Sequence, residues 1–250
     1  MKIVVPLAGS DPRFERAGDH KALTQVFGKP VIRWVMESRP YDLASAIFIL
    51  LREHDRKFRI KERLEVIFGK SLQVVWAETM TGGAPQSVLL ARDMIDGDSP
   101  LLIDLLDQHI DFRDLVPFLR ETDADGVIPT FESLYSNRGY MTLEPGTRRV
   151  LRVSEKDAVP ISTHSTACVS WFRRGSDFVR AADAMIAAGR VAANGAYMVS
   201  MVFNELIREG RTVVAHPCEF IATLGSPEGL ACFEQLVRPV VYPPEFYIHD

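Results

Sequence analysis

A chain of 250 residues with 47% hydrophobic, 25% charged and 9% aromatic side chains can bury a large core without disulfides or structural metal, which excludes disordered and fibrous classes. A net charge of -4 and a pI near 5.9 argue against a general basic surface for a nucleic-acid polymer, while allowing local phosphate pockets. Cys168, Cys218 and Cys232 are far apart and form no CxxC pair, so reduced thiols and no zinc site are expected.

The first strand-like run, 2–8, with a strand predicted at 2–7, is too short for a signal-peptide core and meets Gly9, Asp11 and Pro12 at once. No stretch of about 18 apolar residues follows, so a cytoplasmic location without a membrane partner is expected. Further strands are predicted at 46–51, 72–76 and 101–103, with helical periodicity at 30–37, 54–68, 84–95 and 111–121 between them. This alternation, with strands apolar on both faces, predicts right-handed βαβ crossovers and a sheet covered by helices on both sides.

From Gly126 the pattern changes to strands at 126–131, 140–144, 150–154 and 167–172, separated by turns such as Glu144-Pro145-Gly146, and the sheet is expected to become mixed. Helices return at 176–188 and 196–209, the second carrying Val199, Val202, Phe203 and Leu206 as a stripe expected to face the core. Residues 1–236 read as one domain of three-layer α/β/α type with a mixed, mostly parallel sheet. The proline-rich tail 237–250 reads as extended, and its apolar residues are a candidate contact for a homo-oligomer.

The loop after the first strand, Pro6 to Phe14, places small residues at a strand end, with Arg13 and Lys21 supplying positive charge. Backbone amides in such a loop can meet phosphates, although the loop alone is equally a tight surface turn. Asp107 falls at the carboxyl end of a predicted parallel strand, where such sheets place ligands, and Asp104 falls inside it.

With Gly28-Lys29-Pro30, the segment containing Ala8, Gly9, Arg13, Phe14 and Lys21 resembles the amino-terminal signature of sugar-phosphate nucleotidyltransferases, the pyrophosphorylase group that includes glucose-1-phosphate thymidylyltransferases. Four later blocks resemble the same family in order and spacing: Thr81-Gly82-Gly83-Ala84, the strand ending at Asp107, Glu155-Lys156, and Leu224-Gly225-Ser226-Pro227-Glu228. The resemblance runs to about Phe233 and implies a nucleotide-diphospho-sugar transferase fold, with a nucleoside triphosphate and a phosphorylated small molecule as partners.

It further implies a catalytic role for Arg13 and Lys21, nucleotide binding by Ala8, Gly9, Thr81, Gly82 and Gly83, and acceptor binding by Glu155, Lys156, Asn194 and Gly195. Asp107 would bind Mg²⁺ as cofactor, and surface polysaccharide biosynthesis is the implied setting. The chemistry suits these residues, because a phosphate nucleophile is already an anion and the site has chiefly to align reactants and neutralise charge.

The chain departs from the family pattern at Asp11 and Pro12 in the loop, Ala22 after the lysine, Cys168 in place of a glycine, Ala196 in place of an acidic residue, and Thr223 near a second metal aspartate. A catalytically degenerate nucleotide or sugar-nucleotide binder with a regulatory or scaffold role is therefore the alternative to an enzyme. Glycosyl transfer would need a D-x-D motif, and Asp104-Leu-Leu-Asp107 has the wrong spacing.

Overall fold

The structure, a computed structural model, describes residues 1–112, 114–136 and 138–241. In chain order, β1 (Lys2–Pro6) leads to α1 (Pro12–Arg16), a small hairpin of β2 (Gln25–Val26) and β3 (Lys29–Pro30), and α2 (Val31–Glu37). Next come β4 (Ile47–Leu51), α3 (Arg52–Phe58), α4 (Ile60–Phe68), β5 (Gln73–Ala77), α5 (Ala84–Leu89), α6 (Arg92–Ile95), β6 (Leu101–Asp104), β7 (Gln108–Asp111) and α7 (Leu115–Glu121). The second half contains β8 (Gly126–Glu132), β9 (Gly139–Leu143), β10 (Val150–Glu155), β11 (His164–Thr166), β12 (Val169–Phe172) and α8 (Gly175–Ala187). It ends with α9 (Phe203–Arg208), β13 (Val213–Pro217), β14 (Glu219–Thr223) and α10 (Pro227–Val241).

One ten-stranded mixed sheet runs in the order β10-β9-β11-β8-β12-β6-β1-β4-β5, with β13 also paired to β8. Strands β6, β1, β4 and β5 are parallel, as the alternating pattern predicts; β12 then runs antiparallel to β6, with Val169 opposite Asp104. Side chains alternate across the parallel strands. Val5, Phe48 and Leu50 face the layer of α2, α4, α7 and α10, while Val4, Ile47 and Ile49 face α5, α6, α8 and α9. Each of these fully buried side chains contributes roughly 1.5–3 kcal/mol, which makes the two helix layers and the sheet one unit. Among the described residues, no helix is long and apolar enough to cross a membrane.

Several predicted elements are corrected. The segment 54–68 is two helices, because Arg59 takes a left-handed conformation (φ 53°) and the Asp55 carboxylate accepts the Lys61 amide of the second helix at 2.7 Å. The segment 84–95 likewise divides into α5 and α6. Asp111 ends β7 opposite Glu219 of β14, so the following helix starts only at Leu115. The stripe Val199, Val202, Phe203 and Leu206 is core as expected, yet the α-helix begins only at Phe203, where it continues from a 3₁₀ turn at Ser200–Val202. Residues 237–241 continue α10 rather than extending away, and 242–250 lie outside the described residues.

Candidate active site

The carboxyl ends of β1 and β6 open into a cavity of about 160 Å³ lined by Gly9, Lys21, Thr81, Gly83, Leu105 and Asp107, among others. Lys21 begins a 3₁₀ turn capped by His20, whose Nδ1 accepts the Ala22 amide. Burial, with the neighbouring Lys21 and His54 charges, pulls the His20 pKa down to about 4, so the cap is neutral at physiological pH. Lys21 Nζ lies 2.6 Å from Asp107 Oδ1. Burial disfavours the ammonium, yet the Asp107 carboxylate outweighs it and holds the Lys21 pKa above the usual lysine value.

Asp107 is aimed by Asp104, which is fully buried as its place in the strand predicts. Arg39 forks onto Asp104 at 2.6 and 3.0 Å, Tyr41 donates its hydroxyl at 2.8 Å, and the Leu106 amide donates at 2.9 Å. The last bond stabilises a left-handed Leu106 (φ 52°), which turns the chain so that Asp107 leaves the sheet and meets the cavity. The β14 end closes in from the other side: the Leu224 amide donates to the Asp107 carbonyl at 2.8 Å.

The loop after β1 is arranged around Asp11. Ala8 is buried, and Gly9 reaches the cavity. The Asp11 side chain caps α1 by accepting the Arg13 amide and also binds the Arg13 guanidinium at 3.0 and 2.7 Å. The Arg13 hydrogen bond outweighs partial burial and keeps Asp11 below the usual carboxylate range. Arg13 is thereby turned toward Asp11, Gly225 and Glu228, and it does not line the cavity. The Asp11 amide is taken by Glu15 at 3.1 Å; the amides of Gly9 and Ser10 make no hydrogen bond among the described residues.

On the opposite wall, the Thr81 hydroxyl bonds the Gly83 carbonyl and Ser87, and the Gly82 amide donates to Gln86 at 2.6 Å. Gly83 (φ 154°) pairs with Tyr197 so closely that a Cβ would lie 2.1 Å from the Tyr197 carbonyl oxygen. Asn194 and Gly195 form the exposed turn before that contact, with Asn194 Oδ1 accepting the Ala196 amide, and they lie outside the cavity lining.

Glu155 and Lys156 stand at the end of β10, in the antiparallel half of the sheet. Glu155 is buried, accepts a short hydrogen bond from Ser200 and faces Gly139, where a Cβ would lie 2.2 Å from its Oε1. Burial raises its pKa despite the Ser200 bond and the Lys156 charge. Cys168 has φ 57°, which explains why glycine suits this position in the family: a side chain in left-handed backbone is strained. Burial, then the Asp107 and Glu155 carboxylates, push its thiol up to about 12, leaving an unreactive neutral group.

Solved structures share this fold. A nucleoside-diphosphate-sugar pyrophosphorylase from Vibrio cholerae RC9 superposes with a TM-score of 0.75 at 22% identity, covering 93% of this chain and 99% of that one. The fold is that of the sugar-phosphate nucleotidyltransferases. A Bacillus anthracis protein designated a glucose-1-phosphate thymidylyltransferase, solved with sucrose, gives a TM-score of 0.72 at 15% identity over 99% of both chains. A UDP-glucose pyrophosphorylase complexed with UDP-glucose gives 0.73 at 14% identity, covering 96% of this chain and 99% of that one. No protein-family model and no curated protein matches the sequence.

Within this nucleotidyltransferase fold, Gly9, Lys21, Thr81, Gly83 and Asp107 meet at one cavity, and Glu155 with Lys156 occupies the neighbouring sheet end. Arg39, Gly139 and Ser200 were not legible as site residues. Arg39 and Ser200 act through partners distant in sequence, whereas Gly139 carried the one usable signal, a glycine opening a strand.

Proposed function

We propose that this chain is a nucleotidylyltransferase that joins a nucleoside monophosphate from a nucleoside triphosphate to a small phosphorylated metabolite. A phosphate oxygen of the acceptor forms a bond to the α-phosphorus, the bond from that phosphorus to the β-phosphate bridging oxygen breaks, and pyrophosphate leaves with the electron pair. The convergence of Lys21, Asp107, Gly9 and the Thr81-to-Gly83 loop on one cavity carries this reading.

In it, Lys21 exchanges its Asp107 contact for the nucleotide phosphates, the Gly9 and Ser10 amides meet phosphate oxygens, and the Thr81 loop receives the base. Glu155 accepts acceptor hydroxyls and Lys156 neutralises the acceptor phosphate. Among the described residues no cluster of three acidic, histidine or cysteine side chains could cage a metal. A single carboxylate still fits Mg²⁺, which takes one or two carboxylates with substrate phosphates and keeps several waters. Asp107 would hold the ion, which supplies charge neutralisation on the phosphates.

The Asp11–Arg13 pair favours a second reading, a nucleotide-binding regulator with weakened catalysis, since the loop arginine is already matched to a carboxylate. Calorimetric titration with CTP, UTP, dTTP, GTP and ATP, with and without Mg²⁺, followed by a pyrophosphate-release screen, tests the transfer reaction. Magnesium-dependent binding with pyrophosphate release supports it, and neither with any nucleotide refutes it. Asp107→Ala separates the two readings: an enzyme loses turnover, whereas a regulator keeps partner binding.

A further inference from the structure

Arg138 is a cation at the acceptor side of the cleft that the transfer reaction as described leaves unused. Its carbonyl accepts the Lys156 amide at 3.0 Å, and the next residue, Gly139, is the one pressed against the Glu155 carboxylate. The residue is thus tied by backbone to both halves of the Glu155-Lys156 pair. Cys168, which lies between the two sides of the site, feels Arg138 and Lys156 as positive charges and Asp107 and Glu155 as negative ones.

The Arg138 side chain is held by aromatic rings. Its guanidinium carbon lies 5.0 Å from the centroid of Phe220, 5.5 Å from Phe131 and 5.9 Å from Tyr135. Phe131 and Phe220 stack on each other at 4.6 Å with an interplanar angle of 20°, which makes a rigid platform between β8 and β14. Arg138 meets no carboxylate within 4.0 Å among the described residues. A π-face fixes a guanidinium without neutralising it, so the planar fork keeps its capacity for an oxyanion.

We propose that Arg138 recognises a second anionic group on the acceptor, a carboxylate or a further phosphate, so that the acceptor class is a metabolite with two separate anionic groups and not the monophosphate of an otherwise uncharged sugar. This inference rests on the transfer reaction proposed above and specifies its acceptor. Lys156, a compact point charge, serves the attacking phosphate; Arg138, a planar donor fork, serves the other anion.

The test compares acceptors that differ by one anionic group. Calorimetry on the full chain would pair glucose 1-phosphate with glucuronic acid 1-phosphate and with glucose 1,6-bisphosphate, and glycerol 3-phosphate with 3-phosphoglycerate, for the unmodified protein, Arg138→Gln and Arg138→Lys. The unmodified protein should bind a doubly anionic member about ten- to a hundredfold more tightly than its partner, the worth of a charge-assisted hydrogen bond. Arg138→Gln should bring the two members to the same affinity, and Arg138→Lys should keep part of the preference. Which pair shows the effect tells carboxylate from phosphate.

Equal affinities within every pair, a preference that survives Arg138→Gln, or no binding of any acceptor would overturn the proposal. Pyrophosphate release is read separately. Release without the preference removes the Arg138 inference alone, and the preference without release removes the transfer reaction alone.

Discussion

Arg39 and Asp104 illustrate how buried residues behind a cavity set the geometry of one that lines it. Their side chains are both fully buried and the fork between them is complete, so removing one partner leaves an uncompensated charge in the interior. Arg39→Ala is expected to lower unfolding free energy by roughly 3–5 kcal/mol, read from the urea midpoint. A change near zero would mean that Tyr41 and the Leu106 amide satisfy Asp104 by themselves. Glu155 is the opposite case, a buried carboxyl whose environment works against its charge. Its folded pKa lies above that of an unfolded carboxyl, so between the two values the folded chain holds more protons and stability falls as pH rises. Glu155→Gln should therefore melt higher than the unmodified chain at pH 7, with the difference narrowing toward about pH 4, near the unfolded value. A difference constant across that range would refute the charge explanation. If Glu155 holds the acceptor as proposed, acceptor binding should weaken in the same variant, a gain in stability exchanged for a loss of function.

Among the elements, the contact between the Thr81-to-Gly83 loop and the segment at Tyr197 joins the cavity wall to the turn that follows Asn194. Gly83→Ala would force a Cβ to 2.1 Å from a backbone oxygen that cannot swing away, in a backbone region (φ 154°) that L side chains avoid. Loss of magnesium-dependent nucleotide binding is expected while the far-UV circular dichroism stays native; unchanged affinity in calorimetry would show that the two segments separate at little cost. This contact also marks what sequence could and could not reveal. The strands β1, β4 and β6 were legible because burial on both faces makes them continuous apolar runs, and the half-buried edge strand β5 because Val74-Val75-Trp76-Ala77 is an apolar run too. Strands β7, β11, β13 and β14 were not, since segments such as Gln108-His109-Ile110-Asp111 owe their conformation to pairing across the chain rather than to local pattern. Gly9, Lys21, Thr81, Gly83 and Asp107 could be gathered from ordered motifs. The use of Arg13 by Asp11 could not, because two residues of sequence separation do not say whether a carboxylate points at a ligand or folds back on its neighbour.

For the molecule as a whole, the cavity is where parts from separate stretches of chain meet: the β1 loop and Lys21, the Thr81 loop, Asp107 at the end of β6, and the Leu224-Gly225 segment packed behind it. A nucleotide bound in this position, as proposed, would touch several of these at once, so its binding energy would add to the stability of the entire fold. At a concentration of 100 times Kd a ligand that binds only the folded chain contributes about 2.7 kcal/mol. In a domain of this length that corresponds to a rise in Tm of roughly 5–11 °C, at about 2–4 °C per kcal/mol. The Lys21–Asp107 ion pair has to open for this to happen, with the ammonium turning to phosphate and the carboxylate to a cation. The rise should therefore be larger with Mg²⁺ than without it, and Asp107→Asn should remove the magnesium-dependent part while leaving part of the shift. Thermal melts with each of the five nucleoside triphosphates measure both effects. A triphosphate that stabilises equally with and without Mg²⁺ would take Asp107 out of the metal role, and no shift with any of them would mean that the ion pair keeps the cavity closed to nucleotides.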